Sequence, residues 1–260
     1  MFKSNFEKNG FCIVHNLINK ETISEIHRDL LKIGSILYSK KEFSDLNQMW
    51  NYHRANNRDT ASSIYNAFKH LQSVKRLALS EDLELSLKRD FLMKSPALVD
   101  INCRIDSKDE EKYLFDWHQD YWFSACSTNA IVAWIPIVNL TPEIGGLEII
   151  ENNQTKGKIF RAKSRSGNYN SYADAITLDE NINHLKSRHI NSMSAGDALI
   201  FKFNLLHKSI PIKSQNQSRF TIQLRFSDFE DIEFINNKFK PCVVNELSTE
   251  YLQRNKHEKL

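Results

Sequence analysis

A chain of 260 residues, 41% hydrophobic and 11% aromatic, is long enough to bury one sizeable core, and a single domain spanning 1–260 is expected. Its 35 basic and 32 acidic residues leave a formal charge of +3, too mild to argue for nucleic acid or an anionic membrane surface as partner. The opening Met1-Phe2-Lys3-Ser4-Asn5-Phe6-Glu7-Lys8 lacks the apolar core of a signal peptide, no later run approaches a membrane span, and Cys12, Cys103, Cys126 and Cys242 form no Cys-x-x-Cys pair; reduced thiols and a cytoplasmic location are expected.

In chain order the pattern is helices first and strands afterwards. Asn19 is placed to cap a helix whose apolar positions Ile23, Ile26, Leu30 and Ile33 follow the helical period, with Gly34 as a weak point near its end. The stretch Leu46 to Arg54 reads as a loop between helices, anchored by Trp50 and mixing aromatic with hydrogen-bonding groups, which gives His53 a pocket address. A second helix is expected from Thr60 to Leu79 through Ile64, Phe68, Leu71, Val74 and Leu77, and a third around Glu81 to Met93, stopped by Ser95-Pro96. Residues 1–96 thus form a mainly helical part. From 97 to 228 short β-rich runs alternate with polar loops, as the two sheets of a jelly roll require, and 229–260 forms a polar extension whose part beyond Asn245 reads as a short surface helix. The expected fold is therefore mainly β with flanking helices, a cupin-like double-stranded β-helix.

The segment Trp117-His118-Gln119-Asp120-Tyr121 carries the chemistry. Residues i and i+2 of a strand share a face, so His118 and Asp120 can grip one metal ion while Gln119 turns away. His207 is the third ligand expected, because it follows the apolar strand pattern Ala198 to Phe203. Two histidines and a carboxylate leave about half of an octahedral iron sphere open for a co-substrate and dioxygen. Tyr121 and Trp122 directly follow Asp120, which puts at least one of their rings near the metal cavity. Downstream, Ser218 to Phe226 alternates strictly: Arg219, Thr221, Gln223 and Arg225 share one face, Phe220, Ile222, Leu224 and Phe226 the other. In a closed β-architecture the polar face looks inward, where an arginine needs an anion, and Arg219 can fork onto the far carboxylate of a dicarboxylic co-substrate.

Trp117-His118-Gln119-Asp120, Ala133-Trp134-Ile135-Pro136, Gly145-Gly146-Leu147, Ala195-Gly196-Asp197-Ala198, His207-Lys208-Ser209 and Arg219 stand in the order seen in the phytanoyl-CoA dioxygenase family of iron(II)- and 2-oxoglutarate-dependent oxygenases. The resemblance covers roughly residues 98 to 228, and Asn9-Gly10-Phe11-Cys12-Ile13-Val14 is similar to that family's start. It implies His118, Asp120 and His207 as iron ligands, Arg219 as the clamp on the 2-oxoglutarate side-chain carboxylate, Ser209 as a helper on the same carboxylate, and Trp134 as a wall of that pocket. Asn102 or Arg104, alternating on the strand Val99 to Ile105, matches a further polar contact. The chain departs from the pattern in two places. Glu151 to Thr155 replaces the usual Gly-Ser-His turn, and the His207-to-Arg219 spacing is one residue longer, which leaves Arg225 as the alternative clamp.

Because the ligand carboxylate Asp120 is present, the implied reaction is hydroxylation of a small substrate by dioxygen, with 2-oxoglutarate converted to succinate and CO2. Desaturation and ring formation use the same chemistry. Trp122, Tyr121, Gln223, Arg225 and His53 are the expected substrate contacts. The basic stretch Lys156, Lys158, Arg161, Lys163 and Arg165 suggests attraction of an anionic substrate at the cavity mouth. Two other classes fit the same barrel: a non-redox cupin-type metal enzyme, which would not need Arg219 and Ser209, and a binding protein that has lost turnover. Neither the substrate nor the oligomeric state is legible.

Overall fold

The computed structural model describes residues 2–37, 41–124, 126–164 and 176–240. Helix α1 (Phe2–Asn9), which no sequence pattern announced, leads into strand β1 (Phe11–Val14). Asn19 accepts a hydrogen bond from the Thr22 amide at 2.8 Å and opens α2 (Lys20–Ile36), whose Ile23, Ile26 and Leu30 are buried on one face. Gly34 does not weaken the helix end. A Cβ there would come 2.5 Å from Met49 Cγ, so the missing side chain lets the next helix lie close. That helix, α3 (Leu46–Asn56), occupies the stretch expected to be a loop; Asp45 caps it by accepting from the Gln48 amide, and it buries Leu46, Met49, Trp50 and His53.

The single helix expected over 60–79 is two, α4 (Arg58–Phe68) and α5 (Gln72–Ala78). The chain turns at His70 and Leu71, whose amides bond back to Ala67 and Phe68, and Leu71 takes an extended ψ of 136°. Side-chain period alone does not reveal such a break, because Phe68, Leu71, Val74 and Leu77 enter the same core on both sides of it. Helix α6 (Glu81–Asp90) completes the group.

The strands follow as β2 (Pro96–Asp106), β3 (Ile131–Pro136), β4 (Leu147–Ile150), β5 (Ala162–Ser164), β6 (Ile176–Leu178), β7 (Ser187–Ile190), β8 (Ala198–Lys202), β9 (Leu206–Ser209) and β10 (Arg219–Asp228), with the one-turn helices α7 (Asn152–Thr155) and α8 (Ile232–Asn236) between and after them. One antiparallel sheet runs β1-β8-β3-β10-β2, a second runs β7-β4-β9, and β5 pairs with β6 alone. The boundary expected at 96/97 does not divide the β core, because β1, from the first fourteen residues, forms its edge by pairing Phe11–Val14 with Phe201–Ala198. The tail beyond Asn245 and Cys242 lie outside the described residues.

Each strand of the larger sheet serves two cores, as a period of two dictates. On β3, Ile131, Ala133 and Ile135 pack with the helices, while Val132 and Trp134 face the smaller sheet. On β10, Phe220, Ile222, Leu224 and Phe226 join the helices, which leaves Arg219, Thr221, Gln223 and Arg225 facing inward. Three cysteines are absorbed into this packing: Cys12, Cys103 and Cys126 are all buried. Burial pushes the Cys12 thiol up to about 12 and raises Cys103 further. Iodoacetamide at pH 8 is therefore expected to leave these cysteines unlabelled in the folded protein, read by peptide mass spectrometry, and to label them once the chain is unfolded.

Candidate metal centre and its cavity

His118 does not lie in a regular strand with Asp120, as the sequence suggested. It forms a single antiparallel bridge with His207: each amide donates to the other residue's carbonyl, at 2.9 and 3.0 Å. The extended Gln119 (φ −121°, ψ 135°) then preserves the i, i+2 alternation for one step, and Asp120 opens a turn of 3-10 helix through Trp122. Gln119 does turn away. Its amide donates to the Lys158 carbonyl at 2.8 Å and accepts from the Phe160 amide at 2.8 Å, which ties the following loop to the ligand segment.

The bridge and the turn gather one buried ligand atom each from His118, Asp120 and His207 within 4.8 Å of one another, with His118 Nε2 3.7 Å from Asp120 Oδ1. Both imidazoles are oriented by the same local device. His118 Nδ1 lies 2.7 Å from the Asp116 carbonyl and His207 Nδ1 lies 2.9 Å from the Leu205 carbonyl. A carbonyl only accepts, so Nδ1 carries the proton in each ring and Nε2 keeps its lone pair for a metal. Burial, reinforced by the neighbouring His207, pushes the His118 pKa down to about 3, and burial also lowers His207. Both rings are neutral and ligand-ready at neutral pH. The donor set of two neutral imidazoles and one carboxylate is the one that suits iron(II) with open positions.

Arg225, an alternative clamp by sequence, serves the ligand carboxylate instead. Its Nε donates to Asp120 Oδ2 at 3.1 Å and its Nη1 to Asp100 Oδ2 at 2.9 Å. Burial alone would raise the Asp120 pKa; Arg225 and the two histidines outweigh it and hold the carboxyl below its ordinary range. Replacing Arg225 by leucine is expected to weaken metal affinity by about 10- to 100-fold. The Asp120 pKa should then rise, so the pH at which half the sites are loaded should move upward in a metal titration.

A cavity of about 910 Å³ opens from the metal ligands, at the upper end of the ~300–1,000 Å³ typical of small-molecule sites. Trp134, Ser209, Asn102, Arg104, Gln223 and Arg225 stand on its wall, as does Trp50, whose indole donates to Ser107 Oγ at 2.8 Å. Arg219 does not. It is 1% exposed and bonded to Asp106 and to the Gly146 and Ile210 carbonyls.

Three expected substrate contacts fall elsewhere. His53 bonds through Nε2 to the Gly34 carbonyl at 3.0 Å and packs on Phe43 and Tyr52, a core position created by α3. Trp122 is fully buried, its indole donating to the Phe160 carbonyl at 3.1 Å, and Tyr121 packs with the same apolar group, because the 3-10 turn swings both rings away from the cavity and brings Phe123 and Ser124 to it. Within the basic stretch Lys158 and Arg161 share Glu180, Lys163 pairs with Asp179 at 3.1 Å, and none of these side chains lines the cavity. Arg165 lies outside the described residues.

A wall that the sequence reading missed is the polar stripe Arg58, Ser62, Tyr65, Asn66 and Lys69 of α4 and its C-cap. These positions recur at the helical spacing on the face beside the buried Ala61, Ile64 and Phe68. In sequence such a stripe is indistinguishable from an ordinary solvated face.

Two facing sheets enclosing a buried His-x-Asp…His triad that fits a metal ion, with a cavity beside it, are the architecture of the double-stranded β-helix class. The family model described as Phytanoyl-CoA dioxygenase (PhyH) matches residues 6–221, and the chain belongs to that family. Iron and 2-oxoglutarate are the cofactor and co-substrate of this family's enzymes, and the donor set described above fits the iron. Among solved structures, the fold is similar to the epimerase SnoN in complex with Fe3+, alpha ketoglutarate and nogalamycin RO (13% identity, 87% of this chain and 82% of that chain, TM-score 0.56). It is also similar to the alpha ketoglutarate dependent carbocyclase SnoK from nogalamycin biosynthesis (12%, 86% and 82%, TM-score 0.58) and to the non-heme monooxygenase ThoJ (14%, 88% and 77%, TM-score 0.57).

Proposed function

We propose that this protein is an iron(II)- and 2-oxoglutarate-dependent dioxygenase that hydroxylates a small molecule, most simply in the cytoplasm. The observation that carries the reading is the buried triad with both Nε2 atoms unencumbered and its carboxylate ligand locked by Arg225. Among the described residues no helix is long and apolar enough to cross a membrane.

When bound, iron(II) with 2-oxoglutarate supplies oxygen activation: substrate, dioxygen and 2-oxoglutarate give hydroxylated substrate, succinate and CO2. The chain's own residues do the rest. His118, Asp120 and His207, all on the cavity wall, would hold the metal. Arg225 keeps Asp120 anionic and fixes its second oxygen. Trp134, Phe201 and Leu147 add apolar side chains to the cavity wall, and apolar surroundings strengthen the charge interactions beside them. Phe115 and Phe123 shield His118, their rings 5.0 and 5.7 Å from its own. The outer part of the cavity, walled by the α4 stripe, Asn102 and Gln223, is left for the substrate.

The test is anaerobic titration of the apo-protein with iron(II) and then 2-oxoglutarate, watching for the visible charge-transfer band of a chelated keto acid. Oxygen-dependent succinate formation and product mass from a metabolite screen follow. A band together with a product carrying one added oxygen supports hydroxylation. An unchanged mass would identify epimerisation, and loss of two hydrogens would identify desaturation or ring closure. Iron binding with no band would overturn the reading in favour of a non-redox metal enzyme.

A further inference from the structure

Two buried arginines flank one buried carboxylate, Arg104 and Asp106 on the cavity wall and Arg219 off it, and the arginines differ in the donors they have left. Arg219 gives Nε and Nη2 to Asp106 Oδ2 at 3.3 and 3.1 Å, and Nη1 to the Gly146 and Ile210 carbonyls at 3.1 and 2.9 Å. Those bonds use four of the five N–H groups of a guanidinium, which leaves no fork for a further carboxylate. Arg104 gives Nη2 to Asp106 Oδ1 and to the Tyr113 carbonyl, and its Nε lies 3.5 Å from Asp106 Oδ2. Its Nη1, with two N–H groups, makes no hydrogen bond among the described residues. Arg104 lines the cavity, with its guanidinium 5.2 Å from the centre of the Phe115 ring.

The strand register makes this arrangement compulsory. On β2 and β10, Asp106 pairs with Arg219 and Arg104 with Thr221, all on the inward face. Two guanidiniums against one carboxylate leave a surplus positive charge in a low-dielectric site, and such a charge calls for an anion. Thr221 Oγ1, across the strand from Arg104, is buried without a hydrogen-bond partner.

We propose that the distal carboxylate of 2-oxoglutarate is received by Arg104, and that Arg219, the position the family resemblance assigns to the clamp, is a positioning residue that holds Asp106 and through it Arg104. The inference rests on the 2-oxoglutarate reading above. For Arg219 to take the carboxylate itself, Asp106 would have to give up a partner while remaining buried beside an incoming anion, which is unfavourable on both counts.

The experiment compares 2-oxoglutarate with 2-oxobutyrate, which has the same metal-chelating end and no distal carboxylate, by anaerobic titration of the iron(II) protein. Wild type, Arg104→Leu and Arg219→Gln are each titrated. The expected result is a loss of roughly 100-fold in 2-oxoglutarate affinity in Arg104→Leu with 2-oxobutyrate unaffected, so that the preference collapses, while Arg219→Gln keeps a clear preference. A preference that survives in Arg104→Leu, or that collapses equally in Arg219→Gln, overturns the division of roles. A wild type that shows a band with neither keto acid fails the parent reading instead. If a variant does not fold, arginine modification by phenylglyoxal on the wild type decides. Protection of Arg104 by 2-oxoglutarate, with Arg219 unreactive throughout, supports the proposal; an Arg104 reactivity unchanged by 2-oxoglutarate overturns it.

Discussion

Replacing His207 by alanine is expected to remove stoichiometric iron(II) binding and to lower succinate formation by at least about 10³-fold, because a metal-centred barrier reduction of several kcal/mol goes with the site and each ~1.4 kcal/mol is tenfold. The fold should survive. The pairing of His207 with His118 and with Ile149 of β4 is made by backbone atoms, so both sheets keep their register without the imidazole. What is lost is one neutral donor fixed by the Leu205 carbonyl, and with it the closed geometry of the triad. Circular dichroism should be close to wild type while the anaerobic keto-acid band disappears. Iron bound at wild-type affinity in this variant would show that the metal lies elsewhere.

The second large effect falls on the frame. Gly146 precedes β4, and a Cβ built there would lie 1.9 Å from the Ile190 carbonyl oxygen, a backbone atom of the neighbouring β7. No side-chain rotation relieves that contact, so Gly146→Ala must push β7 away from β4 or shift the start of β4 itself. Overpacking of this kind costs about 1–3 kcal/mol or more, and at ~2–4 °C per kcal/mol in a chain of this size Tm should fall by roughly 2–12 °C. The Gly146 carbonyl also accepts from Arg219 and its amide neighbour leads directly into the Leu147–Ser209 pairing. The same variant is therefore expected to weaken 2-oxoglutarate binding as well as stability, measured by thermal unfolding and keto-acid titration. A Tm unchanged from wild type would mean that β7 is free to move without cost.

Much of this enzyme is written in local pattern. The strict alternation of β10 sorted its apolar and polar faces correctly because a strand's period is set by backbone geometry alone. The spacing of His118 and Asp120 worked for a different reason than the regular strand it suggested: one extended residue, Gln119, is enough to put both side chains on one side before the chain turns. Asn19 capped its helix as its chemistry demands. The family motifs carried the third ligand, His207, across the long intervening segment that spacing alone does not bridge.

The sequence by itself determined the inward face of β10 and the candidates His118 and Asp120 through residue type and short-range period, and the fold class and the third candidate, His207, through the strand pattern and the ordered family motifs. Only the tertiary structure decided that Arg219 is paired with Asp106 while Arg104 lines the cavity, because Asp106 meets Arg219 through the pairing of strands far apart in the chain, and a single strand's pattern carries no record of its partner's charge. It also decided that His53 and Trp122 belong to the core and that α4 forms a wall of the cavity. A helix face or an aromatic ring reads the same in sequence whether it meets water, a cavity or another side chain; what distinguishes them is the packing of the whole chain.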